Sequence, residues 1–313
     1  MRPAEGLPGV SDQSNIRNDR AEFLHPRQAL QFQRRINVTR TYARPVAFAF
    51  GHFVLFTLLL GLVAAAAPSL QAAGPKHLLV VTVTKGFRHD SIPVSETVLK
   101  QLGETSKSYT VDYVRTDEDM AQKMTADALK NYDGVIFANT TGDLPIPDKD
   151  AFVRWIRAGH AFIGMHAATD TYHGFEPYKA MLGAEFLTHG PQVEVNCLVE
   201  DKKHPATRHL GDSWKVFDEI YQFQHFDRAR FHGLLGLDKH PNAGTPGDFP
   251  ISWCRMEGKG RLFYTALGHR QEVWRDPVYQ QHILGGIRWA LGQEKGDAKP
   301  QKRASNELKS EQR

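Results

Sequence analysis

The chain has 313 residues, with 39 lysines and arginines against 35 aspartates and glutamates, 15 histidines and 2 cysteines. Its formal excess of +4 resides in residues 1–44, where eight arginines face Glu5, Asp12, Asp19 and Glu22. The charge-balanced remainder has no footprint for phosphate backbones, which argues against nucleic acid as a partner. Two cysteines make no disulfide framework, and Cys197 and Cys254, each inside an apolar stretch, read as buried free thiols.

Residues 1–44 are rich in Arg, Gln and Asn and offer little to bury, so they read as a disordered extension, or as one that initiation near Val38 or Val46 would omit. Residues 46–67 form an uncharged apolar run preceded by Arg34, Arg35, Arg40 and Arg44. At about 1.5 Å per residue such a run can just span a bilayer. The small residues that trail it (AAAAPSLQAAG) resemble a cleavage region instead, so residues 45–73 read as a signal peptide and the body as exported, periplasmic or extracellular. A membrane anchor through residues 46–67 is the alternative.

The body opens with KHLLVVTVT (76–84), a β-branched run suited to a strand buried on both faces. Asp90 or Ser91 can cap the helix that follows, and Pro93 fits its first turn. Residues 110–116 alternate as a strand, 120–130 have helical spacing, and GVIFANT (134–140) is another buried strand. Pro147 and Asp148 open a helix that Gly159 closes. AFIGMHAATD (161–170) is a strand that breaks into a tight turn before a helix. This βα alternation predicts a parallel sheet of flavodoxin-like order with helices on both faces. Beyond Gly183, residues 192–200, 217–226 and 233–237 are strand-like, and 251–256 and 261–267 flank EGKG, a hairpin signal. These pieces should form a β-rich edge on the same sheet. Residues 278–291 are a closing amphipathic helix, and the polar tail from Gln293 reads as disordered.

In open α/β sheets, side chains leaving the carboxyl ends of strands point into the ligand crevice. His89 follows the first strand, Asn139 and Thr140 end the third, His166 follows the fourth and His269 the last. On a strand over 217–226, Glu219, Tyr221 and His225 would share one face by the two-residue period. Asp170 either caps a turn or orients His166, and Arg88 either binds a substrate hydroxyl or carboxylate or makes a surface ion pair. His166 stands where a strand-to-helix elbow would place a nucleophile, with no serine or cysteine beside it. As a rim residue it should contribute little to stability. Two functional readings stay open. His89, His166, His225 and His269 can hold a divalent ion such as zinc. Alternatively, a metal-free polar pocket has His166, His89, Glu219 and Asp170 as acid–base groups and Arg88, Asn139, Thr140, Tyr221, His225 and His269 as sugar-binding residues. The plain structural alternative is a set of histidines that tie loops together.

GFRHDSIP (86–93), GMHAATD (164–170), FDEIYQF (217–223), PISWCRMEGKGRLFYTALGH (250–269) and GIRWALG (286–292) together resemble the ThuA-like, trehalose-utilisation-type family over residues 76–292. The resemblance implies the fold of class I glutamine amidotransferases, a three-layer sandwich with a mainly parallel sheet. It also implies sugar metabolism, with a disaccharide, glycoside or oxidised sugar as substrate for a hydrolase, lyase or isomerase. A non-catalytic carbohydrate-binding or scaffolding protein of the cell envelope is the rival. Amidotransferase activity is not implied, because His166 occupies the position of the nucleophilic cysteine.

Overall fold

Alternate residues of the first apolar run serve two separate cores, and this decides the architecture. The computed structural model describes residues 74–301 apart from 243 and 245. The extension over 1–44, the apolar segment within 45–73 and the end of the chain from 302 lie outside the described residues. In β1 (Lys76–Val81), Leu78 and Val80 face one core while Leu79 and Val81 face the other. The first core receives α1 (Ile92–Ser106) through Val98 and Leu99. The second receives α2 (Asp117–Lys123) through Met120 and α3 (Lys149–Arg157) through Phe152, Val153 and Ile156. Layers of helix, sheet and helix follow from that double-sided burial.

The remaining parallel strands are β2 (Tyr109–Val114), β3 (Gly134–Ala138) and β4 (Ala161–Met165), joined late in the chain by β11 (Gly260–Thr265). Their order β2-β1-β3-β4-β11 is flavodoxin-like. The expected β-rich edge continues the sheet with antiparallel β10 (Pro246–Glu257), β9 (His232–Lys239), β6 (Val193–Val199) and β7 (Ser213–Asp218), giving nine strands. The EGKG hairpin forms as read, with Glu257 opposite Gly260. A second, two-stranded sheet pairs β5 (Glu185–His189) with β8 (Tyr221–Gln224). After α4 (Glu176–Leu182), α5 (Gln271–Arg275) and α6 (Pro277–Ala290) complete the fold. Among the described residues no helix is long and apolar enough to cross a membrane.

Several local expectations are corrected. The strand expected over 217–226 is two strands in different sheets, because Ile220 turns into the first core between them. The helix expected directly after His166 is a single 3-10 turn over His166–Asp170. The cap expected at Asp90 or Ser91 is absent, since the Ser91 hydroxyl donates to the Gly268 carbonyl at 3.2 Å. Asp148, by contrast, caps α3 by accepting from the Ala151 N–H at 2.7 Å. Residues 293–301 are docked: the Trp289 indole donates to the Gly296 carbonyl, the His232 ring to the Lys299 carbonyl, and the Gln301 amide to the Gly233 carbonyl. Cys197 and Cys254 are both free and buried, and burial pushes both thiols up.

Gly183 ends α4 at φ 91°, and a Cβ there would stand 1.7 Å from the Phe231 ring. Gly183→Ala is therefore expected to destabilise by at least the ~1–3 kcal/mol typical of overpacking. For a domain of this size that is roughly 2–4 °C of Tm per kcal/mol, readable by calorimetry.

Two histidines far from the strand tips set an acid limit. Burial pushes His282 down from 6.5 to about 3 and His204 to about 4. Above pH 6.5 both states are neutral and the full stability is present. As the pH falls below 6.5 the unfolded chain takes up protons that the folded state refuses, so stability drains away towards pH 3. The Tm is expected to fall steadily from pH 6.5 to pH 4. A His282→Leu variant, whose residue 282 cannot titrate, is expected to lose less over that range.

Candidate functional site

The parallel half of the sheet brings four strand tips to one edge, and three imidazoles meet there. The rings of His89, His166 and His269 lie 4.8, 5.1 and 5.3 Å apart, centroid to centroid, and edge to face. Glu219, in the break between β7 and β8, joins them, and one ligand atom from each of the four lies within 4.8 Å of the others. All four groups are largely out of water.

His166 leaves β4 at φ 47°, a left-handed backbone rare for a residue with a Cβ and often stored at functional turns. Gly164 permits the elbow, because a Cβ there would stand 2.9 Å from the Tyr264 ring. The Tyr264 hydroxyl then donates to the His166 carbonyl at 2.7 Å. The ring orientation is fixed separately. His166 Nδ1 lies 2.7 Å from the Ala266 carbonyl, which can only accept, so Nδ1 carries the proton and Nε2 presents a lone pair. That lone pair accepts from the Tyr221 hydroxyl at 2.9 Å, with Glu219 Oε2 at 3.6 Å.

The loop carrying His269 is held from every side. Gly268 sits at φ 120°. Its carbonyl accepts from the Ser91 hydroxyl, the Asn139 amide and the Trp274 indole, at 3.2, 3.0 and 2.8 Å. Its N–H and that of Arg270 donate to the two oxygens of buried Asp218, at 2.7 and 3.2 Å. Asp218, Ser91 and Tyr264 are positioning groups that strand-tip reasoning did not single out. The Asp-Glu pair at the end of a strand and the glycine before His269 were the available signals. Asp218→Asn is expected to weaken the tie to one of the two N–H groups and loosen His269, which a double-mutant cycle with His269→Ala would read as strong coupling in metal affinity.

Electrostatics follow from this packing. Burial, reinforced by the neighbouring imidazoles, pushes His89 down to about 3. Burial also works against ionised Glu219, but His166 and His269 outweigh it and hold the carboxyl well below its usual range. For His269 burial pulls down, yet the same carboxylate gives a net upward shift. His269 Nδ1 is 3.2 Å from Glu219 Oε2, and His89 Nδ1 is buried with no partner. The His89 ring with its orphaned nitrogen, the His269 ring beside Glu219, the His166 ring fixed by a backbone carbonyl, and the carboxylate itself form a donor set that can hold a metal ion. A carbonyl behind a ligating imidazole is the usual outer support of such a ligand.

The other anticipated residues are placed elsewhere. His225 is not among the three imidazoles: it is 68% exposed and lies 3.7 Å from Glu185, because the chain has left β8 before reaching it. Glu219 takes the fourth place. Asp170 does not orient His166 but binds the His173 ring at 2.7 Å. Arg88 is exposed and donates to the Thr82 carbonyl. Thr140 pairs with Thr171 at 2.8 Å, and Asn139 faces Gly268 with its own carbonyl oxygen buried and unpartnered. Tyr221 does reach the cluster. Two groups mark its mouth: His189, whose Nδ1 lies 3.1 Å from Glu219 Oε1, and Phe87, 65% exposed and edge-on to His89 at 4.9 Å.

Fold and site together define a flavodoxin-like α/β protein with a histidine–carboxylate centre at the strand tips. The family profile described as ThuA, trehalose utilisation, matches residues 77–290. The chain belongs to that family. Among solved structures it is similar to a ThuA-like protein from Parabacteroides merdae, with 21% identity, a TM-score of 0.60, and coverage of 71% of this chain and 92% of that one. It is also similar to one from Bacteroides uniformis, with 23% identity, a TM-score of 0.59, and coverage of 73% and 96%. Both likenesses concern the fold. No curated protein matches the chain.

Proposed function

We propose that this ThuA protein is a sugar-processing enzyme, exported by way of residues 46–67, whose His89, His166, Glu219 and His269 hold a divalent metal. Zinc suits three neutral imidazoles and one carboxylate. The observation that carries the reading is the convergence of His89, whose Nδ1 is buried and unpartnered, with His166, His269 and Glu219, one ligand atom from each lying within 4.8 Å of the others. Desolvation keeps His89 neutral at physiological pH, the state a ligand needs.

A bound ion would polarise a hydroxyl or carbonyl oxygen of the substrate. The chain supplies the rest. Phe87 offers an exposed aromatic face to the C–H side of a sugar ring, and half-exposed His189 can hydrogen-bond a hydroxyl at the mouth. The buried walls of Tyr221 and His166 exclude water from the reacting oxygen. Trehalose-type disaccharides, other glycosides and their oxidised forms are the substrate classes to try.

The test is metal analysis of chelator-free protein alongside turnover of those sugars before and after chelation. About one ion per chain and turnover restored by added metal are expected. Turnover untouched by chelation would refute the metal reading, and sugar binding without turnover would establish a non-catalytic carbohydrate-binding protein instead.

A further inference from the structure

Both ring nitrogens of His173 face carboxylates. Nε2 lies 2.7 Å from Asp170, and Nδ1 lies 2.5 Å from Glu185. An ionised carboxylate can only accept, so an imidazole that serves both must donate from both nitrogens, and only the doubly protonated cation does so. Burial pulls this ring down, but the two carboxylates outweigh it and set it above its ordinary value of 6.5. The other charged groups close by are Lys179 of α4, 3.2 Å from Glu176 and 3.5 Å from Glu185, and the His225 ring, 3.7 Å from Glu185.

The two posts that His173 joins belong to different parts of the fold. Asp170 ends the turn that begins at His166. Its backbone is pinned to the loop after β3, where the Gly142 N–H donates to the Asp170 carbonyl at 2.8 Å and the Tyr172 N–H to the Gly142 carbonyl at 3.1 Å. Glu185 is buried and starts β5. The small sheet of β5 and β8 brings two groups to the histidine–carboxylate centre, His189 against Glu219 and Tyr221 against His166, and these two stand opposite each other in register. Tyr172 holds φ 58°, a left-handed backbone seldom adopted by an aromatic residue, at the position that delivers the ring.

We propose that His173 is a proton-operated latch on the mouth of the centre: as a cation it clamps β5 to the turn of His166, and on losing its proton it lets β5 go. A neutral ring keeps one N–H and turns a lone pair towards the other carboxylate, so one tie becomes a repulsion. The clamp is complete below pH 6.5 and is lost as the pH rises above it, the opposite sense to the acid limit set by His204 and His282. It needs neither a metal nor a sugar at the centre.

Hydrogen exchange of the full-length protein at pH 6 and pH 9 reads the latch, with rates expressed as protection factors so that the faster chemical exchange in base cancels. Protection of residues 185–189 is expected to fall about fivefold between the two, the loss of one charge-assisted hydrogen bond discounted for the half-exposed ring. β1 and β3 should not change. His173→Arg, charged at both pH values, is expected to keep its protection at pH 9, and His173→Gln, neutral at both, to show the lower protection throughout. His225→Gln is expected to behave as the wild type does. Equal wild-type protection at the two pH values, or a His173 ring that titrates at or below 6.5 by NMR, would overturn the latch. So would a wild-type fall that persists in His173→Gln or His173→Arg, or one that vanishes in His225→Gln.

Discussion

Glu219→Gln is expected to cost the protein its metal. The carboxylate supplies the negative charge among three imidazoles, and its two oxygens lie 3.1 Å from His189 and 3.2 Å from His269. An amide of the same shape keeps the packing but loses the charge. The affinity loss should therefore exceed the roughly 10–100-fold that removal of an outer-shell partner costs, as read by competition with a chelating dye. In the metal-free protein His269, no longer beside an anion, should titrate lower in the variant. NMR of the histidine rings would show it, and an unchanged His269 with unchanged affinity would remove Glu219 from the site.

His166→Ala is expected to abolish metal uptake and also to lower the Tm. The second effect departs from what a rim residue would give, because His166 is fully buried. Its removal leaves the Ala266 carbonyl and the Tyr221 hydroxyl without their partner, at about 1–3 kcal/mol for each group left unsatisfied. Alanine also tolerates φ 47° poorly. His166→Asn separates the two effects, since asparagine accepts the left-handed backbone. It should recover part of the Tm and none of the metal. A variant that kept its metal would move the centre away from this elbow.

Much of the fold was legible because its signals are local. KHLLVVTVT and GVIFANT are apolar without interruption, as strands covered on both faces must be, and the helix starting at Asp148 carries its own cap. The site was legible wherever a residue follows a parallel strand directly, which holds for His89, His166 and His269. It failed at 217–226, where an unbroken alternation hid a change of sheet. A two-residue period fixes a face only while the chain stays in one strand, so it promoted His225 and could not show that Glu219 stands in the gap. Asp218, Ser91 and Tyr264 escaped because their task, holding backbone across 50 to 177 residues of sequence, leaves no periodic trace.

The docked stretch after α6 has a consequence for the chemistry of the thiol beneath it. Cys254 lies 3.7 Å from the His204 ring and 3.6 Å from the Asp297 carbonyl, and a Cβ on Gly296 would stand 2.6 Å from that same ring. Through the backbone of Gly296 and Asp297, this stretch forms a lid over the Cys254 sulfur. A protease trimming the chain at Gly292, where the helical pattern ends, would leave the sheet intact yet strip that lid. Without it the Cys254 sulfur would lose its Asp297 partner and part of its cover. The docked stretch therefore keeps a buried thiol covered, a protective duty distinct from anything at the strand tips.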